Sequence, residues 1–191
     1  MRVLTHYIAW TLGVAPPETQ TTQAERDCLV RHATGRRRLV EIGVWHGVTT
    51  KRLRGAMDPG GVLTAVDPFP AGRLGFSLQE RIAHSEVDAI GNGRVAWVRT
   101  TGADAARNHA PVDFVFIDGD HSEDGLLADW RAWSPIVEAG GIVALHDSRS
   151  SDDRTIDDAG SVKVTNTVIL PDRRFALIDA VDSLTVLRRE G

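Results

Sequence analysis

Two stretches, "VFIDGDHSEDG" (115–125) and "GIVALHDS" (141–148), gather the side chains with most to offer chemically. Asp118, Asp120 and His121 crowd the first, and His146 and Asp147 close the second. Asp118 and Asp147 are 29 residues apart, room for one helix and two loops. They are therefore expected to end neighbouring parallel strands, about 4.8 Å apart in the sheet. Two carboxylates that close repel unless a proton or a cation lies between them. A hard divalent cation with oxygen ligands would satisfy them and hold a substrate oxygen, lowering the pKa of a bound hydroxyl. His121 and His146 offer a second route, since an imidazole can take a hydroxyl proton directly. Helix capping by Asp120 or Ser122 explains one acid at most, not the second acid or the two histidines.

A second constellation lies upstream in "LVEIGVWHGVTT" (39–50). An apolar run ends in Glu41, Gly43 and Gly47 follow, and a helix comes next. The dinucleotide fingerprint needs Gly-x-Gly-x-x-Gly at such a turn. Here Trp45 replaces the middle glycine, so the backbone cannot approach a pyrophosphate, and NAD or FAD is disfavoured. Asp67 ends the next apolar run, where a carboxylate can accept both hydroxyls of a ribose. Acids at both strand ends suit a ligand with positive charge and no phosphate.

The elements that must position these groups can be traced along the chain. Thr22 and Glu25 have the spacing of a capping box, which starts a helix running to about Ala33. Apolar runs near residues 38, 62, 94, 113 and 140 alternate with helical segments. In one of these, Leu126, Leu127, Trp130 and Trp133 share a face. Such alternation indicates a parallel sheet covered on both sides. "RFALIDAV" and "SLTVLRR" close the chain as a hairpin about Asp182. Residues 161–170 are rich in β-branched side chains, but the rhythm of the fold places a helix there. The expected fold is a Rossmann-like, doubly wound, mostly parallel seven-stranded sheet with a C-terminal antiparallel hairpin strand. Residues 1–37 supply N-terminal helices and 38–191 the core of a single domain.

Composition narrows the classes. The chain has 191 residues, 42% hydrophobic and 25% charged, with net charge −4. Neither nucleic acid nor an anionic membrane is favoured as partner. The apolar stretch from Val3 to Ala15 is shorter than the ~20 residues of a membrane span. A lone Cys28, in a predicted helix, fits a small buried residue and a reducing cytoplasm. Leu4, Ile8 and Trp10 give the first helix an apolar side on which a second copy would dock.

"VEIGVWHGVTT" followed by "VLTAVDPF" resembles the first two motifs of class I S-adenosylmethionine-dependent methyltransferases. The resemblance implies that Glu41, Gly43, Trp45 and Gly47 line the cofactor near its methionine end and that Asp67 holds its ribose. It also implies that Ala103 or Asp104 lies near the adenine, with helix capping as the alternative role for Asp104. "FVFIDGDHSEDGLLADWRAWSPIVEAGGIVALHDS" resembles a branch of small O-methyltransferases. This branch includes macrolide-sugar methyltransferases and cephalosporin-pathway methyltransferase-like proteins, and more distantly it is similar to catechol O-methyltransferase. These enzymes hold magnesium on an acid after the fourth strand and an acidic pair after the fifth. Asp118 matches the first position, as cofactor neighbour and ligand, and Asp147 matches one member of the pair. His146 departs from the acid–acid pattern, and imidazole is softer than magnesium prefers.

The expected activity is methyl transfer from S-adenosylmethionine to a hydroxyl of a small molecule of secondary metabolism, assisted by a divalent metal or by a histidine base. Metal-free N-methylation and a non-catalytic cofactor-binding module are the rivals. Residues 68–80 and 148–165, the latter with Asp152, Asp153, Asp157 and Asp158, are the expected walls of the acceptor pocket, with a solvated loop as the alternative for the acidic segment.

Overall fold

Period-two alternation in the apolar runs separates the core into two layers, one on each face of a single sheet. In a computed structural model describing residues 2–72 and 75–191, Val40, Ile42, Val115, Ile117, Val143 and Leu145 pack on one face with Trp130 and Trp133. Their neighbours Leu39, Phe114, Phe116, Ile142 and Ala144 pack on the other with Cys28, Leu29 and Leu53. The strands are β1 (Arg38–Ile42), β2 (Val62–Val66), β3 (Arg94–Val98), β4 (Val112–Ile117), β5 (Val137–Leu145), β6 (Phe175–Val181) and β7 (Leu184–Arg189). Their order is β3-β2-β1-β4-β5-β7-β6, parallel through β5 and antiparallel at β7 and β6. The chain reverses direction across the sheet between β1 and β4, and ligands of open α/β sheets bind in the crevice at such a point.

The helices are α1 (Arg2–Thr11), α2 (Gln23–Ala33), α3 (Val48–Ala56), α4 (Leu78–Asp88), α5 (Gly102–Ala105), α6 (Glu123–Trp133) and α7 (Gly160–Val164). The capping box forms as its spacing predicts. Thr22 Oγ1 accepts the Glu25 amide at 3.1 Å, and Glu25 Oε2 accepts the Thr22 amide at 2.7 Å. Ser122 caps α6 with its side chain alone, accepting the Gly125 amide. Residues 161–170 are helical despite their β-branched content, with a π-helical stretch at Thr165–Ile169. One element differs from its sequence reading: β5 starts at Val137 and runs through Gly140-Gly141 instead of opening after them. Its pairing with β4 shifts register between Val112 and Phe114, and Gly140 has φ +74°, so the glycines form an irregularity inside the strand.

Helix α1 leaves Leu4 and Ile8 about half exposed, while Trp10 turns inward and donates to Glu86 at 3.0 Å. Among the described residues no helix is long and apolar enough to cross a membrane.

Candidate active site

The C-terminal ends of β1, β2 and β4 open onto a cavity of about 730 Å³, a size that suits a cofactor-sized ligand. Glu41, Gly43, Val44 and Trp45 line it from β1, Asp67 and Pro68 from β2, and Asp118, Asp120 and His121 from β4. Six carboxylates border it, those of Glu18, Glu41, Asp67, Asp118, Asp120 and Asp129, and among the described lining residues there is no Lys or Arg. This electrostatic character rejects phosphate and favours a cationic ligand, as the loop chemistry implies.

The loop itself is tightly built. Asp67 Oδ2 accepts the amides of Val44 and Trp45 at 3.0 and 3.1 Å, and Oδ1 accepts that of Phe69 at 2.8 Å. Asp67 therefore braces the turn, yet it still borders the cavity with lone pairs to spare. Glu41 is 1% exposed, and its Oε2 has no hydrogen-bond partner. Burial pushes its carboxyl well above the usual range. The neighbouring Thr50 hydroxyl opposes this, and the charges of Asp118 and Asp67 add to the rise. A buried acid without a partner at a cavity wall calls for a donor or a cation from the ligand. His46 is not part of the chemistry. Its Nδ1 accepts the Glu18 amide at 3.0 Å and its ring stacks on His6, and burial, helped by His6, lowers its pKa to about 4.

The acid and histidine groups meet at one end of the cavity. Ile117 pairs with Leu145 in the β4–β5 register, so the next residues, Asp118 and His146, stand opposite one another. His146 Nδ1 lies 2.7 Å from Asp118 Oδ1, too far off-axis for a directed hydrogen bond. Its Nε2 lies 3.5 Å from Glu25 Oε2 on α2. His121 Nε2 is 3.6 Å from the same Asp118 oxygen, and His121 borders the cavity whereas His146 is buried behind it. Burial works to lower the pKa of His146, but the carboxylates of Asp118 and Glu25 outweigh it and raise the value to about 10. Buried and not among the cavity-lining residues, His146 is not placed to serve as the base. Burial likewise works to raise Glu25, but the facing His146 ring and hydrogen bonds from Ser183 and the Thr22 amide hold it at about 2.

These shifts set a pH dependence. The folded pKa of His146 lies above its ordinary 6.5, so its contribution to stability is complete below that pH and is lost as pH rises through about 10. Glu25, held below its ordinary 4.5, contributes above that value and loses its contribution as pH falls through about 2. Thermal midpoints measured from pH 7 upward should fall more steeply for the wild type than for Glu25→Gln. Parallel profiles would overturn the buried pair.

Three expectations are corrected. Asp147 does not face Asp118: standing one residue past the paired position, it has φ +47°, and its Oδ1 accepts a hydrogen bond from Arg154 Nη1 at 2.6 Å. The donors that converge are Asp118, His121 and His146, with one atom of each within 4.8 Å of the others. One carboxylate and two imidazoles fit a borderline transition cation better than magnesium. Asp104 is exposed, pairs with Arg107 and is not among the cavity-lining residues; Thr101 caps its helix, and Ala103 borders the cavity. Of the expected acceptor walls, residues 148–165 do not border the cavity, and from 68–80 only Pro68 does; Arg73 and Leu74 lie outside the described residues.

The structure adds residues that sequence reasoning missed. Glu18, Thr19 and Gln20, between α1 and α2, form part of the wall. Asp129 of α6 borders the cavity and is 5% exposed. Burial raises its pKa to about 6, against the Ala103 amide and with the nearby Asp120 charge. Its sequence signal was a charge on the apolar stripe of Leu126, Trp130 and Trp133. Cys28 is no nucleophile, because burial and then the Asp179 charge push its thiol up to about 11.

Residues 40–148, more than half of the chain, match the family model described as a methyltransferase domain. The chain belongs to this methyltransferase family. Its fold is that of solved class I methyltransferases. TomG, an O-methyltransferase of Streptomyces achromogenes involved in tomaymycin synthesis and solved with SAM, is similar at TM-score 0.70 and 16% identity, covering 100% of this chain and 91% of its own. An O-methyltransferase from Bacillus cereus in complex with SAH gives TM-score 0.63 and 18% identity over 98% and 89%. The N-methyltransferase NodS of Bradyrhizobium japonicum shares the fold at TM-score 0.61 and 12% identity over 87% and 95%. At such identities the likeness establishes the methyltransferase fold and leaves the acceptor to be argued from this site.

Proposed function

We propose that this methyltransferase transfers a methyl group from S-adenosylmethionine to a hydroxyl oxygen of a small molecule. The observation that carries this reading is His121 beside Asp118 in an acid-lined cavity whose described lining residues include no Lys or Arg. Bound S-adenosylmethionine supplies the electrophilic methyl carbon. Glu41 and the loop from Gly43 to Gly47 would hold its amino-acid end, and Asp67 its ribose. His121 would take the acceptor's proton at Nδ1, the ring nitrogen turned away from Asp118. Asp118 orients that ring and is itself fixed by His146, which Glu25 holds from behind. In-line displacement at carbon needs little beyond this positioning and deprotonation.

A second reading places a borderline divalent cation on Asp118, His121 and His146. The off-axis 2.7 Å approach of His146 Nδ1 to Asp118 favours it, as does Glu25 behind His146, since metal-bound histidines commonly give their other nitrogen to a carboxylate. Such a cation would supply Lewis acidity to the acceptor oxygen.

The test is transfer of labelled methyl to panels of hydroxylated and amine-bearing small molecules, with and without chelator. Turnover of hydroxylated acceptors supports the proposal, and turnover confined to amines overturns it. For the cofactor, Asp67→Ala should weaken S-adenosylhomocysteine binding by roughly 1.5–3 kcal/mol, the worth of hydrogen bonds to a charged group. Calorimetry on the folded variant decides, and unchanged affinity would remove Asp67 from the ribose site.

A further inference from the structure

Away from the cavity, helix α2 and edge strand β6 bring together a thiol, an imidazole and a carboxylate. Cys28 and His32 stand four residues apart on α2 and so share one face. Asp179 faces them from β6, at a point where the β6–β7 register shifts between Leu177 and Asp179, an irregularity of the kind that re-aims a side chain. Cys28 Sγ lies 3.4 Å and His32 Nε2 3.0 Å from the same oxygen, Asp179 Oδ2. One ligand atom from each residue lies within 4.8 Å of the other two.

The spacing is close to that of a metal's coordination shell. Bond lengths of tetrahedral zinc put a sulfur and an oxygen ligand about 3.6 Å apart and a nitrogen and an oxygen ligand about 3.3 Å apart. The thiol is fully buried, whereas the side chains of His32 and Asp179 are 21% and 28% exposed. An ion can therefore enter from the solvent side, with water completing its shell. Arg31 also reaches Asp179 Oδ2, at 3.0 Å, but it is mostly exposed and can return to solvent once a cation neutralises that carboxylate.

We propose that Cys28, His32 and Asp179 bind a borderline divalent cation of the zinc class, clamping α2 to β6. As the metal–sulfur bond forms, the thiol proton leaves to solvent, so a thiolate, a carboxylate and a neutral imidazole hold the ion. Because α2 also carries Glu25, the clamp would fix the helix that holds His146 from behind.

Titration of the metal-free full-length protein with Co2+ tests this. The wild type should develop a thiolate-to-cobalt charge-transfer band. The band should vanish in Cys28→Ser and need more cobalt in Asp179→Asn, which keeps the thiol and alters only a part-exposed group. The Asp118, His121 and His146 cluster has no sulfur and cannot produce this signal. Excess Zn2+ should raise the thermal midpoint of His121→Ala, in which the other cluster is disabled, but not of a variant carrying both His121→Ala and Cys28→Ser. Absence of the band in the wild type, an unchanged titration in Asp179→Asn, or equal stabilisation of the double variant by zinc would each overturn the proposal.

Discussion

His121→Ala is expected to slow methyl transfer by about 10²–10⁴-fold, the usual worth of a positioned general base, while S-adenosylhomocysteine binds nearly as before. The proposed division of roles gives this separation: His121 stands by Asp118, whereas Glu41, Gly43 and Asp67, which line the cavity from the ends of β1 and β2, would hold the cofactor. Single-turnover rates with saturating cofactor measure the first quantity and calorimetry the second. The chelator distinguishes the two chemistries. A base mechanism keeps full rate in excess chelator. A cation on Asp118, His121 and His146 instead predicts that chelation reproduces the variant's loss and that a borderline metal restores activity to the wild type alone. A His121→Ala enzyme with wild-type rate would remove His121 from either mechanism. His146→Ala should also lose rate, by releasing Asp118 and leaving Glu25 buried without its counter-charge.

What the sequence made legible was local or periodic. The capping box at Thr22 and Glu25, the strand ends at Glu41, Asp67 and Asp118, and the turn at Asp182 all rest on spacings of a few residues. What it concealed depended on register and on long-range partners. Expecting Asp118 opposite Asp147 required knowing which residue of β5 pairs with Ile117, and an offset of one residue hands that place to His146. The freed Asp147 then finds Arg154, in a segment whose acidic character suggested a solvated loop or a pocket wall. Glu25 was hidden by its own legibility. Its Oε2 closes the capping box, which accounts for its position in the sequence, while the same carboxylate also reaches His146 and Ser183. Asp129 shows the opposite case, a charge on an apolar helical stripe that marked a buried site without indicating which one.

Gly43→Ala should destabilise the fold by about 2–5 kcal/mol and abolish cofactor binding. Two costs combine. Gly43 has φ +88°, a left-handed conformation that costs an L-residue roughly 1–2 kcal/mol. A Cβ there would also lie 2.0 Å from the carbonyl oxygen of Asp118 and 2.6 Å from its carbon. Both are backbone atoms at the end of β4 and have no rotamer into which to retreat, so β1 and β4 must part where the cavity begins. Overpacking of this kind costs about 1–3 kcal/mol. Gly35→Ala separates the two terms, since Gly35 has φ +73° with nothing within 4 Å of an added Cβ. It should carry the conformational cost alone and leave cofactor binding intact. Denaturant unfolding with an unchanged slope gives both stabilities, and the difference between the variants measures the contact between strands. Equal losses at the two glycines would mean that the loop tolerates the side chain. The close approach of β1 to Asp118 would then not be what shapes the cofactor end of the site.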